Sequence, residues 1–304
     1  MTRTARAILF SCEVPWDPQE NLMEEAFRQE IRCFLSRGFD HPYIFGTAGE
    51  GYAVDTARFK RIAEIFLDET RGRCPSPQVG VIGLSTATVR ERLDIAYAMG
   101  FRSFQISLPS WGALSDAELL RFFKDVCLSY PDCEFLHYNL IRSKRVLTAD
   151  DYRRIIDEVP NLVATKNTGT DVSLTIALMS LVPEMQHFFG EITFPIGCLH
   201  GECSLLSSWA GLFPSKTKQF FSYSSNGSFA ELFRFQKEYL TAMNRVLALM
   251  LRYPRIDGAY DKALVRLGGI PMPLRMLSPY EGLPEEAYQE CKRIVDELSP
   301  EWLG

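Results

Sequence analysis

The stretch Leu162-Val163-Ala164-Thr165-Lys166, together with the segment after it, shows the pattern that decides the fold. Four residues suited to a buried strand precede the lysine. After a short connection comes Asp171–Val182, whose apolar residues repeat at helical spacing on one face. The unit is therefore a strand followed by an amphipathic helix.

The same unit recurs along the first two thirds of the chain. The predicted strands are Ala7–Ser11, Tyr43–Gly46, Val79–Gly83, Phe104–Leu108, Phe135–Tyr138, Leu162–Lys166, His187–Phe189 and a weaker run near Leu205–Ser208. The other predicted helices are Met23–Leu35, Asp55–Asp68, Val89–Met99 with Ser85 as its N-cap and Gly100 at its end, Ser115–Tyr130 and Thr148–Val159. Strict alternation without a hairpin signal implies parallel strands, and right-handed crossovers close eight of them into a barrel.

An open, doubly wound sheet is the competing architecture. It would require a glycine-rich phosphate-binding turn after the first strand. The stretch in that place, Cys12-Glu13-Val14-Pro15-Trp16, has no glycine. The sequence therefore favours the closed barrel.

From about Ser228 the pattern becomes helical only. An apolar stripe runs along one predicted helix, and two further helices follow at Asp257–Leu267 and Pro284–Leu298. The residues of this stripe are Leu232, Phe235, Tyr239, Met243, Val246 and Met250. We predict an α/β fold, with a (β/α)8 TIM barrel over residues 1–225 that carries the active site. A C-terminal three-helix extension over residues 226–304 would pack on the barrel or on a neighbouring subunit.

Composition limits the possible partners and compartment. The 304 residues carry a net charge of −5 with both signs mixed along the chain, so nucleic acid and acidic membrane surfaces are poor partners. No apolar run approaches the ~20 residues of a membrane span, and Met1–Ala7 lacks the features of a secretory signal. The 8 cysteines form no Cys-x-x-Cys pair and are expected to be reduced. We therefore expect a cytoplasmic protein.

Three features at predicted strand ends could carry chemistry, because the active site of a βα barrel lies at the carboxyl ends of its strands. Lys166 ends an apolar strand, where desolvation would make its amine nucleophilic, although a lysine there can also turn toward solvent. Tyr138 ends another strand, where a phenol can move a proton or simply pack. His137, next to it, would face the helices as a structural residue. The turn Gly46-Thr47-Ala48-Gly49-Glu50-Gly51 would let backbone N–H groups approach an anion, or it is an ordinary glycine turn.

Together these features resemble the dihydrodipicolinate synthase / N-acetylneuraminate lyase family of class I aldolases. The family's glycine-threonine-threonine-glycine-glutamate turn is matched by Gly46-Thr47-Ala48-Gly49-Glu50, and its tyrosine-asparagine pair by Tyr138-Asn139. Its Schiff-base lysine is matched by Lys166, with weaker matches at Gly190 and at Pro273-Leu274-Arg275. The resemblance spans nearly the whole chain, with the strands in family order.

The resemblance implies a role for each matched residue. Lys166 would form an imine with the 2-oxo group of a substrate such as pyruvate, and Tyr138 would shuttle the proton. Thr47 and the backbone N–H groups of Thr47 and Ala48 would hold the substrate carboxylate, with Gly190 also lining the substrate. A protonated imine is itself an electron sink, so no metal and no organic cofactor is expected. The family also implies a homo-oligomer, namely a tetramer.

Some positions depart from the family pattern. Ala48 replaces the second threonine, and the loop Pro109-Ser110-Trp111-Gly112 lacks the tyrosine that the synthases insert into the neighbouring subunit's site. Trp111 would instead cap the pocket with apolar surface, and Arg142 could bind a distal carboxylate. The departures favour an aldolase or hydro-lyase that acts on a different 2-oxo acid and is not a true dihydrodipicolinate synthase.

Two functions from other classes stay open at this point. A non-catalytic barrel could retain the pocket and bind a 2-oxo acid without turnover, since the relay tyrosine is missing. A metal-dependent aldolase or hydrolase would need three ligands, and no His/Asp/Glu cluster at the predicted strand ends supplies them.

Overall fold

The computed structural model describes residues 3–298 and 300–302, and within that part eight strands close into a parallel barrel. The strands follow one another around the barrel in the order in which they occur along the chain. They are β1 (Ile8–Ser11), β2 (Pro42–Ile44), β3 (Gln78–Gly80), β4 (Ser103–Ile106), β5 (Glu134–Asn139), β6 (Leu162–Asn167), β7 (Gln186–Phe189) and β8 (Ser204–Leu206). This is the order that right-handed βα units produce.

Helices connect the strands and continue after the last one. The connecting helices are α1 (Glu24–Ser36), α2 (Thr56–Thr70), α3 (Thr86–Met99), α4 (Asp116–Cys127), α5 (Ala149–Ile156), α6 (Val172–Leu181) and α7 (Phe194–His200). The remainder are α8 (Pro214–Ser225), α9 (Phe229–Met250), α10 (Asp257–Leu267) and α11 (Glu285–Asp296), with short 3-10 helices at Ile141–Ser143 and Pro300–Trp302. The prediction of a (β/α)8 TIM barrel with a C-terminal helical extension is confirmed.

Side-chain caps explain why several helices begin where the sequence predicts. Ser85 accepts the N–H of Thr88 at the start of α3, and Gly100 ends that helix in the left-handed conformation. Ser115 and Thr148 form capping boxes at the starts of α4 and α5. The alternating pattern predicts a helix after each strand but gives no bounds for α7 and α8, and neither of these two has a side-chain cap at its N-terminus.

The predicted apolar stripe of α9 is buried within its own chain. Phe235 and Tyr239 stack on Phe220 of α8 with ring centroids 6.1 and 5.4 Å away, and the Tyr239 hydroxyl lies 2.6 Å from that of Thr217. The stripe therefore packs inside the protomer and does not offer a free surface to a second subunit. None of the helices in the described part of the chain is long and apolar enough to cross a membrane.

The chain divides into two compact units. The first unit comprises Met1–Leu9 and Ser76–Leu206, and the second comprises Phe10–Pro75 and Ser207–Gly304. Lys166 and Tyr138 belong to the first unit, whereas the Gly46–Gly51 turn belongs to the second. The predicted domain boundary between residues 225 and 226 stays a prediction.

Candidate active site

Lys166 and Tyr138 face each other on adjacent strands of the first unit. Strands β5 and β6 pair in parallel with Tyr138 opposite Lys166, and both side chains are buried, at 3% and 2% exposure. The Lys166 amine Nζ lies 4.0 Å from the centroid of the Tyr138 ring. The lysine therefore does not turn toward solvent, and its amine lies beside a phenol.

An irregularity in strand pairing brings these two residues together. Phe135 pairs with Leu162, but Leu136 pairs with Ala164, so β6 contains one extra residue at this point. Without the extra residue, Thr165 would lie opposite Tyr138 and Lys166 would point to the other face of the sheet. The bulge thus decides which side chain of β6 meets the phenol.

The chemistry available to this pair follows from its members. An amine on a buried strand end can act as a nucleophile toward a carbonyl carbon. A phenol beside it can donate and accept the proton that such an addition requires. An amine and a phenol in this arrangement can act as a nucleophile and a proton carrier.

A hydrogen-bonded network flanks Lys166 on the opposite face of the sheet. The Asn139 amide nitrogen donates to Asn167 Oδ1 at 3.2 Å, and the Asn167 amide donates to Thr165 Oγ1 at 2.8 Å. Thr165 Oγ1 lies 2.7 Å from His187 Nδ1, and His187 Nε2 lies 2.9 Å from the carbonyl of Val182. The network joins β5, β6 and β7 through the residues on either side of the lysine. The sequence signal for this network is the pair Thr165 and Asn167, which lie two positions apart on β6 and therefore share one face of the sheet.

Two buried histidines belong to the strands on either side of β6. His137 packs on Phe123 of α4 and its Nδ1 lies 2.7 Å from the Tyr152 hydroxyl of α5, which confirms that it faces the helices. Burial lowers the pKa of His137 to about 3. Burial likewise lowers the pKa of His187 to about 4. Both imidazoles are therefore neutral at neutral pH.

The Gly46–Gly51 turn follows β2 in the second unit. Gly51 donates its N–H to the carbonyl of Gly46 at 3.2 Å, and both Thr47 and Ala48 are buried. Gly49 has φ +75°, and a Cβ there would lie 3.0 Å from the nitrogen of Phe45. Phe45 and Glu50 adopt φ of +62° and +56°, which is strained for a non-glycine residue. Strain of this kind is found most often at functional sites, which makes the turn a candidate for one.

The remaining predicted residues lie on loops of the first unit. Trp111 lies between β4 and α4 with 89% of its surface exposed, and Arg142 is exposed within the 3-10 helix after β5. Gly190 directly follows β7, and its carbonyl accepts the N–H of Phe194 at 2.9 Å at the start of α7. No heavy atom lies within 4 Å of the place where a Gly190 side chain would begin. Among the residues that the structure describes, no three His, Cys, Asp or Glu side chains cluster closely enough to hold a metal ion.

Comparison with known proteins identifies relatives over the whole chain. The model of the Dihydrodipicolinate synthetase family matches residues 4–298. The 4-hydroxy-tetrahydrodipicolinate synthase of Sulfurimonas denitrificans is 26% identical over 211 residues, which cover 68% of this chain and 71% of that protein. The N-acetylneuraminate lyase of Citrobacter koseri is 22% identical over 304 residues, 99% of each chain. The crystal structure of YagE, an Escherichia coli prophage protein of the dihydrodipicolinic acid synthase family in complex with pyruvate, has a TM-score of 0.86 at 18% identity and covers 97% of this chain and 99% of its own.

The two buried histidines should make folding sensitive to mild acid. An unfolded histidine binds a proton below about pH 6.5, whereas folded His187 binds one only near pH 4. The free energy of unfolding therefore falls as the pH drops through this window, by about 1.4 kcal/mol per pH unit for each such histidine. In His187→Gln, we expect the free energy of unfolding, measured by urea denaturation at several pH values, to fall less steeply between pH 6.5 and 4.5. The difference should be about that amount per pH unit.

Comparison with the unsubstituted protein is essential, because buried Glu13 and Glu30 act in the opposite sense. Burial raises the pKa of each of these carboxyls, so they bind protons more readily in the folded state and oppose the loss in acid. The exposed His200→Gln serves as the matched control and should keep the original slope. An unchanged slope in His187→Gln would contradict the neutral, buried assignment.

Proposed function

Because the chain belongs to the Dihydrodipicolinate synthetase family, we propose that it is a class I lyase that holds a 2-oxo acid as a Schiff base on Lys166. Family membership supports an aldolase or lyase function, given the relatives named as synthase and as N-acetylneuraminate lyase. The observation that carries the finer proposal is the buried Lys166 amine, 4.0 Å from the Tyr138 ring centroid.

The reaction would begin at the lysine. The neutral amine of Lys166 attacks the C2 carbonyl carbon of the 2-oxo acid, and the resulting carbinolamine loses water to give an imine. The protonated imine accepts the electron pair released when a bond at C3 breaks, which gives an enamine. Tyr138 would donate and accept the protons of these steps, since its phenol lies beside the amine.

The other proposed roles concern binding of the substrate. Thr47 and the backbone N–H groups of Thr47 and Ala48 would hold the carboxylate, and the open space over Gly190 would accommodate part of the substrate. Arg142 would bind a distal carboxylate, whereas Trp111 would contact an apolar or aromatic tail. An exposed indole in place of the synthase tyrosine favours a hydrophobic tail over a polyhydroxylated one.

A second candidate is a non-catalytic barrel that binds a 2-oxo acid. The observation that favours it is the Pro109–Gly112 loop, which has no tyrosine and leaves Trp111 exposed to 89%. An imine that forms but does not turn over is the expected behaviour of such a protein.

A homotetrameric assembly and a cytoplasmic location remain proposals that rest on the family resemblance and on the sequence. The buried α9 stripe implies that any subunit interface uses other surfaces.

Trapping with borohydride tests the Schiff base directly. In the presence of pyruvate we expect reduction to add the mass of one pyruvate minus one oxygen atom, because the imine carbon is reduced after water has left. The adduct should be absent from Lys166→Ala, as measured by intact mass spectrometry with a panel of 2-oxo acids.

The exposed Lys60→Ala is the control for that experiment and should form the adduct as the original protein does. An adduct that survives in Lys166→Ala, or no adduct with any 2-oxo acid, would refute the assignment.

Tyr138→Phe tests the proton carrier, because it removes the hydroxyl and leaves the ring beside Lys166. We expect exchange of the pyruvate C3 hydrogens for deuterium in D2O to slow by about 10²–10⁴, the range for a positioned acid–base group. This NMR assay needs no knowledge of the second substrate. Tyr97→Phe, on α3, should exchange normally, and full-rate exchange in Tyr138→Phe would reduce Tyr138 to a packing residue.

Synthase activity should be weak. An indole donates a hydrogen bond but cannot relay an acidic proton, so Trp111 cannot replace the missing tyrosine. In a coupled assay with pyruvate and aspartate semialdehyde we expect kcat/KM at least ~100-fold below that of a typical enzyme, which lies at about 10⁴–10⁸ M⁻¹s⁻¹. Robust synthase turnover would show that another group performs the relay.

A further inference from the structure

Four ionisable side chains of the second unit are buried around the Gly46–Gly51 turn. They are Glu13 at 1% exposure and Glu30, Glu50 and Lys262 at 0%. Charged groups are rarely buried to this extent unless they are paired. We refer to these three glutamates and one lysine as the Glu–Lys cluster.

Glu50, within the turn, is paired with Lys262 of α10. Its Oε1 accepts hydrogen bonds from the Lys262 amine and, at 2.8 Å, from the indole N–H of Trp16. Its Oε2 accepts the N–H of Leu277 at 2.7 Å. Lys262 also donates to the carbonyl of Arg275 at 2.6 Å. One carboxylate therefore ties the turn to α10 and to the segment that follows it.

Glu13 holds the turn from the loop after β1. Its Oε2 accepts the N–H of Gly49 at 2.8 Å, and its Oε1 accepts the hydroxyl of Ser11 at 2.7 Å. Its own N–H donates to Glu30 Oε1 at 2.8 Å. Gly49 and Glu50, two consecutive residues of the turn, are thus each bound by a member of the cluster.

The charges of the cluster do not balance if every carboxyl is ionised. Three carboxyls share the single ammonium of Lys262. Burial, together with the charge of Glu13, raises the pKa of Glu30 well above its usual range, which favours its neutral form. Burial lowers the pKa of Lys262, while Glu50, Glu13 and Glu30 oppose this shift. Lys262 is therefore the cation that pairs with the Glu50 carboxylate.

Helix α10 also contacts the turn through its backbone. Gly258, in the first turn of α10, is buried, and a Cβ added there would lie 3.1 Å from the carbonyl oxygen of Thr47 and 3.7 Å from the Cα of Ala48. Only a glycine allows this approach without displacing its neighbour. The C-terminal extension therefore packs directly on the backbone of Thr47 and Ala48.

We propose that Lys262 is a positioning residue for substrate binding, which acts through Glu50 to hold the Gly46–Gly51 turn in the geometry that receives the substrate carboxylate. The proposal rests on the carboxylate-binding role proposed above for Thr47 and Ala48. The carboxylate is present in the ground state and in every later state of the reaction. Loss of the contact that holds the turn should therefore weaken binding of the substrate and of the transition state equally. This raises KM and leaves kcat nearly unchanged.

The test uses the full-length protein and pyruvate as the probe, with C3 deuterium exchange followed over a range of pyruvate concentrations. In Lys262→Met we expect the half-saturating pyruvate concentration to rise at least ~10-fold and the maximal rate to stay within about threefold. Lys292→Met removes an exposed lysine paired with Asp296 on α11 and is the matched control, which should keep both values.

Lys262→Met leaves a buried carboxylate without its cation and could prevent folding, so two further variants are included. Lys262→Met/Glu50→Gln removes both charges and should recover stability while the half-saturating concentration stays raised, because the tie to α10 is still missing. Gly258→Ala keeps the ion pair but crowds the Thr47 carbonyl, and should raise the half-saturating concentration by about threefold or more.

The positioning role would be overturned if the double variant recovered both its stability and the half-saturating pyruvate concentration of the unsubstituted protein. An unchanged half-saturating concentration in Gly258→Ala would also overturn it. A lower maximal exchange rate in Lys262→Met, at an unchanged half-saturating pyruvate concentration, would contradict the proposal too. If the unsubstituted protein forms the borohydride adduct but the variants bind pyruvate normally, only the positioning role fails. If the unsubstituted protein forms no adduct with any 2-oxo acid, the Schiff-base function and the positioning role both fail.

Discussion

The pairing register of β5 with β6 is the constraint on which the candidate chemistry depends. Successive side chains of a strand point to opposite faces, so a shift of one residue would exchange Lys166 for Thr165 beside the phenol. The extra residue in β6 between its pairings with Phe135 and Leu136 sets the register that places Lys166 opposite Tyr138. A local irregularity of one strand thus determines which functional group is available.

Buried polar groups stabilise this register on the other face of the sheet. Asn139, Asn167, Thr165 and His187 form a continuous set of hydrogen bonds that crosses from β5 to β7. Because burial keeps the pKa of His187 near 4, its imidazole is neutral, and donation from Nε2 to the Val182 carbonyl leaves Nδ1 to accept from the threonine hydroxyl. The donor directions are therefore fixed, and fully bonded networks of this kind specify one arrangement of the strands.

Much of the fold could be predicted from the sequence, because its signals are local. Short apolar runs mark the strands, and the caps Ser85, Ser115 and Thr148 mark helix starts. The bounds of α7 and α8 could not be placed, because both lack such caps and α7, with 7 residues, is too short to show a helical repeat. Lys166 and Tyr138 could be singled out because each follows an apolar strand. The Glu50–Lys262 pair could not, since it joins residues 212 positions apart and no pattern near either residue indicates it.

Different interactions therefore hold the two sets of residues on which the proposed function depends. Strand register and a neutral hydrogen-bond network fix Lys166 and Tyr138, whereas a buried ion pair and neighbouring carboxyls fix the strained turn that contains Thr47 and Ala48. The backbone strain at Phe45 and Glu50, on the order of 1–3 kcal/mol for each residue, persists only where surrounding contacts over-determine the turn. Because separate interactions hold the Lys166–Tyr138 pair and the turn, the loop that contains exposed Trp111 can change without disturbing either. A fold in which these two parts are held separately can support different activities through changes in its loops.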